Sequence, residues 1–265
     1  MIKLKSPEDI KILREGGVIL SQVLDVVEAM VRPGAFTGDL EDTAERLIKE
    51  AGGRPSFKGY QQGSGQKPFP TVLCVSVNDE IVHSPAYPSR EIKESDVVGL
   101  DIGMEYPYGK GKKGYYTDMA RTVGAGEISH KHKKLIEVTR KCLELAIEQV
   151  KPGNKLSDIG RAVQTYAEAN GFSVVRDLVG HGVGFAVHED PQVPNYVPKN
   201  EQFKDIELKP GMVFAIEPMV NEGGWEIKVD KKNGFSIRTR DGLYSAHFEH
   251  TVAVIDGGRL IITAL

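Results

Sequence analysis

The chain has 265 residues, 40% of them hydrophobic and 27% charged, with 34 Lys plus Arg against 37 Asp plus Glu and a net charge of -3. That size allows one large α/β domain or two modest ones, and the composition is that of a soluble globular protein, which excludes disorder as a main theme. The charge balance excludes an overall positive field that would recruit DNA or RNA, and Cys74 and Cys142 alone are too few for a disulfide framework or a four-thiolate zinc module.

Ser6-Pro7-Glu8-Asp9 offers an N-cap, a proline for the first turn and an acidic third residue. A helix is predicted from there, with Leu13, Gly17, Leu20, Leu24, Val27 and Val31 along one stripe. The opening MIKLKSPEDI lacks the pattern of a signal peptide, and no run approaches the ~18 apolar residues of a membrane span, so a cytoplasmic protein is expected. Ser129 is predicted to cap a second long helix carrying Ile136, Leu143, Ile147 and Val150. Both helices run into nearly the same phrase: Val31-Arg32-Pro33-Gly34 and Val150-Lys151-Pro152-Gly153, a shift of 119 residues from 31 to 150. The same shift carries Asp39-Leu40 onto Asp158-Ile159 and Gly52 onto Gly171, so helices over 40–50 and 159–169 correspond. Each half then turns to short β-rich runs, at 71–77, 97–102 and 119–123 in the first and at 174–178, 212–216 and 249–255 in the second. The order of elements predicts one domain over 1–265, built of related halves at about 1–125 and 126–265 with a cleft between them.

Charges fall where an apolar strand should not tolerate them. Asp101 sits inside Val97-Val98-Gly99-Leu100-Asp101-Ile102, and Glu217 follows Met212-Val213-Phe214-Ala215-Ile216 in the other half. Asp118 in YYTDMAR and Glu249 in HFEHT form a second such pair. A carboxylate leaving water costs several kcal/mol unless it is paired with a base or bound to a cation, and four in one cleft repel each other without divalent ions. Among the seven histidines, His130 and His132 lie among lysines and read as solvated. His181 lies between glycines in GHGVG, which allows close approach of backbone and ligand, His188 follows seven residues on in HEDP, and His83 leaves the end of the run 75–82. One imidazole with four carboxylates is an oxygen-rich set suited to Mn(II), Fe(II) or Co(II), and two metals sharing carboxylates would make hydrolysis the expected chemistry.

In order and spacing, SPEDI, DIG, YYTDMART, GHGVG, HEDP, AIEPM and HFEHT make the chain resemble the pita-bread metallopeptidases of family M24, and among them the type I methionine aminopeptidases of bacteria. The resemblance implies an α+β pita-bread fold: two pseudo-symmetric halves and a curved, mainly antiparallel sheet covered by helices. It implies two divalent metal ions (cobalt, manganese, iron or zinc) bound by Asp101, Asp118, His181, Glu217 and Glu249, with Asp118 and Glu249 bridging. It further implies Glu217 as proton acceptor, His83 and His188 at the scissile amide, and Phe69, Cys74, Val187 and Phe235 in the side-chain pocket. Its substrate would be a nascent chain with Met first and a small second residue.

Val187 and Phe235 stand where this family commonly has Phe and Trp, and His247 where Gln is frequent, so a wider pocket with looser methionine selectivity is expected. An Xaa-Pro aminopeptidase or prolidase is the nearest rival, and a non-catalytic pita-bread binding protein a more distant one. FEHT at the last ligand favours the methionine branch, and retention of all five ligands favours an enzyme. A monomer is expected, and the lysines of GKGKKG at 109–114 read as solvated surface, with docking on the ribosome as their alternative role.

Overall fold

Ser6 caps the first helix as its sequence predicts: its side chain accepts the Asp9 amide, the Asp9 carboxylate accepts the Ser6 amide, and Pro7 fills the first turn. The computed structural model describes residues 2–264 apart from 62, 64, 66, 112 and 200–202. Its helices are α1 (Pro7–Ala29), α2 (Thr37–Glu50), α3 (His130–Glu148), capped by Ser129, and α4 (Leu156–Ala169). Val31 and Val150, placed in the helical stripes from sequence, lie just beyond the ends of α1 and α3, and the two later helices begin three residues before the expected positions. The strands are β1 (Arg54–Pro55), β2 (Leu73–Val77), β3 (Glu80–Val82), β4 (Val97–Tyr106), β5 (Tyr115–Gly124), β6 (Ser173–Val174), β7 (Gly180–Gly182), β8 (Glu189–Val193), β9 (Val213–Ile216), β10 (Met219–Asn221), β11 (Ile227–Val229), β12 (Ile237–Thr239), β13 (Ser245–His247), β14 (Glu249–Ile255) and β15 (Gly258–Ile261). The expected strand at 174–178 shrinks to Ser173–Val174, and the run 75–82 is broken by a turn at Asn78, whose φ of 59° is left-handed.

The main sheet is antiparallel throughout, in the order β1-β4-β5-β14-β9-β7-β8, with β2 added to β4 and β15 to β14. Strands from before residue 125 therefore occupy one side of the β5–β14 junction and later strands the other. Each side has its own core: Leu20, Leu24 and Ile48 of α1 and α2 pack with Leu100, Ile102 and Met119, and Leu143, Ile159 and Val163 of α3 and α4 pack with Phe214, Ile216 and Val252. Strand alternation then settles where the charges go. Leu100 and Ile102 point to the helices, so Asp101 between them points to the opposite face.

Gly17 belongs to the α1 stripe because the C-terminal segment passes directly over it: a Cβ there would lie 2.1 Å from the Ile262 carbonyl oxygen. Gly17→Ala is expected to destabilise the protein by about 1–3 kcal/mol despite the better helix propensity of alanine, because the overlap is with rigid backbone. Urea denaturation measures this, and unchanged stability would mean that α1 and the C-terminal segment separate without cost.

Candidate metal centre

The register of the sheet gathers the acids. Asp101 of β4 stands opposite Cys74 of β2 on one side and Ala120 of β5 on the other, and Ala120 stands opposite Glu249 of β14. Asp118 lies two residues before Ala120 and so shares its face. The small Ala120 side chain leaves the space between Asp101 and Glu249 open. On β9, Ala215 pairs with Thr251, and Glu217 follows two residues later, just past the strand end. Asp118 is pinned through its backbone, its amide donating to Thr251 Oγ1 and its carbonyl accepting from the same hydroxyl.

His181 enters from β7. A Cβ at Gly180 would lie 2.4 Å from the Ala215 carbonyl oxygen, and one at Gly182 would lie 2.1 Å from that of Asp190. These glycines therefore let neighbouring strands close on the histidine; the close approach inferred from sequence is to backbone. The His181 Nδ1 lies 3.0 Å from the Gly182 carbonyl oxygen, which fixes the proton on that nitrogen and leaves the Nε2 lone pair free. That lone pair faces Glu217 Oε1 at 3.7 Å and Asp118 Oδ2 at 3.9 Å.

Asp118, His181 and Glu249 each present a donor atom within 4.8 Å of the others, and Asp101 and Glu217 line the same cleft. Asp101 Oδ1, Asp118 Oδ1 and Glu249 Oε1 are buried without a hydrogen-bond partner. Acceptors aimed at one another and at nothing else are stable only around protons or a cation. Burial accordingly pushes all four carboxyls up, Asp118, Glu217 and Glu249 well above the usual range, and their mutual repulsion adds to it for those three. Burial holds the His181 imidazole down to about 4, so it is a neutral ligand at physiological pH. The donor set fits divalent cations: hard carboxylate oxygens, one neutral imidazole, and orphaned lone pairs directed inward.

The cleft over these residues has a volume of about 490 Å³. Phe69, Cys74, His83, His188 and Phe235 line it, and Phe69 and Phe235 meet edge to face with centroids 5.5 Å apart. Val187, which precedes His188, is buried at 7% exposure and is not among the residues that line the cleft. Cys74 stands beside Asp101 in the sheet, and burial first, then nearby carboxylates, raise its thiol pKa well above the ordinary value. His83 follows β3 with a left-handed φ of 57° that turns its side chain into the cleft. His188 packs edge-on against His181 at 4.3 Å, and its Nδ1 lies 2.6 Å from Tyr60 Oη.

Sequence reasoning missed Phe57, Tyr60, Lys67 and Gly234 in this lining. The signal available for Tyr60 was an aromatic residue in a polar, glycine-rich loop, where binding residues concentrate. His247, noted only as a departure, is buried at the centre's edge with Nε2 3.7 Å from Glu217 Oε2, and burial holds it down to about 3. His132 is not solvated: it stacks on Tyr244 at 3.9 Å. Of the GKGKKG lysines, Lys110 is exposed, Lys112 lies outside the described residues, and Lys113 sits 4.3 Å over the Phe185 ring and 3.5 Å from Asp9.

The sequence model of metallopeptidase family M24 matches residues 11–256, and the chain belongs to that family. It is 45% identical over 264 residues to methionine aminopeptidase 1 of Bacillus subtilis, covering 99% of each chain. The crystal structure of methionine aminopeptidase from Thermotoga maritima superposes with a TM-score of 0.90 at 38% identity, covering 100% of both chains, which gives this chain the pita-bread fold. The prolidase from Pyrococcus horikoshii shares the fold more distantly, with a TM-score of 0.75 at 20% identity over 63% of that chain.

Titrating Mn(II) or Co(II) into metal-free protein is expected to raise its Tm by several degrees, since a ligand at a thousand times its Kd adds about 4 kcal/mol to the folded state. Asp118→Asn removes most of that shift. Differential scanning calorimetry reads both, and a wild-type Tm indifferent to divalent cations would contradict the fit of these donors.

Proposed function

We propose that the protein is a metal-dependent methionine aminopeptidase that removes the N-terminal methionine from nascent proteins and peptides, preferably before a small second residue. The observation that carries this reading is the convergence of four carboxylates and one neutral imidazole on the floor of a cleft whose wall is aromatic. Residues 1–265 act as one catalytic domain, with Asp101 and Asp118 from one half and His181, Glu217 and Glu249 from the other. They would hold two divalent ions (cobalt, manganese, iron or zinc), with Asp118 and Glu249 shared. Cations bound there supply Lewis acidity, acidifying water and polarising the carbonyl of the first peptide bond.

The chain's own groups do the rest. Glu217 faces the cleft beside His181 and accepts the proton of the attacking water, then returns it to the departing nitrogen. Desolvation by the cleft walls holds His188 down to about 3 and His83 below its ordinary value although both side chains reach solvent, so both are neutral donors near pH 7. Burial also keeps the Tyr60 phenol protonated; its donation to Nδ1 places the His188 proton on Nε2. His83 and His188 then donate to the scissile amide and to the oxyanion that develops on its carbonyl. Phe69, Phe235 and Cys74 take the methionine side chain. In this reading the protein is a cytoplasmic monomer that meets chains as they leave the ribosome, with the exposed Lys110 on its surface.

Purified protein supplied with Mn(II) or Co(II) is expected to release methionine from Met-Ala-Ser and to be silent in EDTA, as read by amino-acid analysis; undiminished turnover in chelator would contradict the metal mechanism. Glu217→Gln should lose about a thousandfold in kcat with its Tm retained, and activity within about tenfold of wild type would remove Glu217 from proton transfer. Across peptides varying the first residue, a pocket of this kind should discriminate methionine from leucine by about 10–200-fold in kcat/KM. Preference for a chain with proline in second place would favour the prolidase reading instead.

A further inference from the structure

Lys5 is a charged residue with 1% of its side chain exposed, and its Nζ meets the Glu189 carboxylate at 2.8 Å, joining positions 184 residues apart. Neither group touches the cleft. A buried ion pair gives little net stability compared with apolar side chains of the same shape, so its geometry carries more information than its energy.

That geometry is a brace under one loop. Glu189 Oε2 accepts from Lys5, while Oε1 accepts the backbone amides of Ala186 at 2.8 Å and of Phe185, folding 185–189 into a turn. Gly184, with a φ of +130°, lies so close over the lysine stem that a Cβ there would be 2.7 Å from Lys5 Cε. The Lys5 backbone amide donates to the Gly211 carbonyl at 2.7 Å, anchoring the lysine to the segment that leads into β9. The Tyr116 amide donates to the Gly184 carbonyl at 2.8 Å, holding the other end of the turn to β5. His188 is the residue immediately before Glu189, and its ring lies against His181 and Tyr60.

We propose that Lys5 and Glu189 are positioning residues: their ion pair holds the 184–189 turn so that His188 presents its imidazole to the cleft. The proposal rests on the peptidase reading for its kinetic consequences. A carboxylate bonds the two turn amides more strongly than a neutral acceptor would, and the Lys5 ammonium at 2.8 Å offsets the cost of burying it there. Because His188 is assigned a contact that strengthens as the oxyanion forms, loosening it lowers kcat more than it raises KM.

The test is Lys5→Met, which keeps the stem and removes the charge, with Lys5→Arg as the conservative variant. On Met-Ala-Ser, Lys5→Met should lose about tenfold or more in kcat with KM within about threefold, and Lys5→Arg should recover most of the loss. In a His188→Ala background, Lys5→Met should change kcat less than about twofold, since it acts through the side chain already removed. Independently of activity, imidazole nitrogen NMR of metal-free protein should show the His188 signals moved by Lys5→Met and those of exposed His130 unmoved. An inactive wild type would remove the peptidase reading while leaving the NMR result to decide this proposal. If Lys5→Met does not fold, the pair Lys5→Met with Glu189→Gln, which leaves no unpaired buried charge, carries the same readouts. Unmoved His188 signals, or a kcat loss as large in the His188→Ala background, would overturn the proposal.

Discussion

Four carboxylates held together out of water are the constraint around which this molecule is arranged. Each costs several kcal/mol to desolvate, and together they repel. No Lys or Arg is placed to neutralise them among the described residues lining the centre; the one lining cation, Lys67, comes from the exposed loop above. The orphaned oxygens of Asp101, Asp118 and Glu249, with the unprotonated Nε2 of His181, form instead a set of inward-facing lone pairs that protons or cations must satisfy. A fold that carries this cost must be rigid around it. The two helix-covered cores and the antiparallel sheet between them supply that rigidity.

The cleft walls are tied down by a second charged network that lies outside the centre. Arg238 of β12 donates to Asp79 at 2.7 Å, to buried Glu80 at 2.6 Å and to Asp230 at 3.1 Å, while Arg90 joins Glu80 from the other side at 2.7 Å. Glu80 begins the strand that leads into His83, and Asp230 begins the turn that carries Phe235. One guanidinium thus locks a wall segment from the early strands to one from the late strands, and the aromatic pair Phe69–Phe235 closes across it. The Lys5–Glu189 brace does the same for the loop of His188.

Much of the centre was legible before any coordinates, for a physical reason: an acid inside an apolar strand violates the burial rule so plainly that Asp101 and Glu217 announce themselves. Asp118 and Glu249 were legible through their position after them. The helices were legible from caps and period, because Ser6 and Ser129 satisfy amides that any helix start exposes. What stayed hidden depends on tertiary contact. Tyr60 sits in a glycine- and glutamine-rich run of sequence at 58–67 that has no hydrophobic period to read. His132 looked solvated among lysines, yet Tyr244, more than a hundred residues on, offers its ring as a stacking surface. The glycines around His181 signal close approach of backbone and ligand, and the structure supplies the backbone partners, the carbonyls of Ala215 and Asp190. Val187 has a place in the pocket by resemblance alone, and the residues that line the cleft do not include it.

We propose that five side chains from both sides of the β5–β14 junction hold a pair of cations. Anomalous diffraction from crystals grown with Mn(II) tests it most directly. Two peaks are predicted, each about 2.0–2.4 Å from oxygens of the shared Asp118 and Glu249, one of them also contacting His181 Nε2. Peaks elsewhere on the surface, or no peak within reach of these five residues, would contradict it.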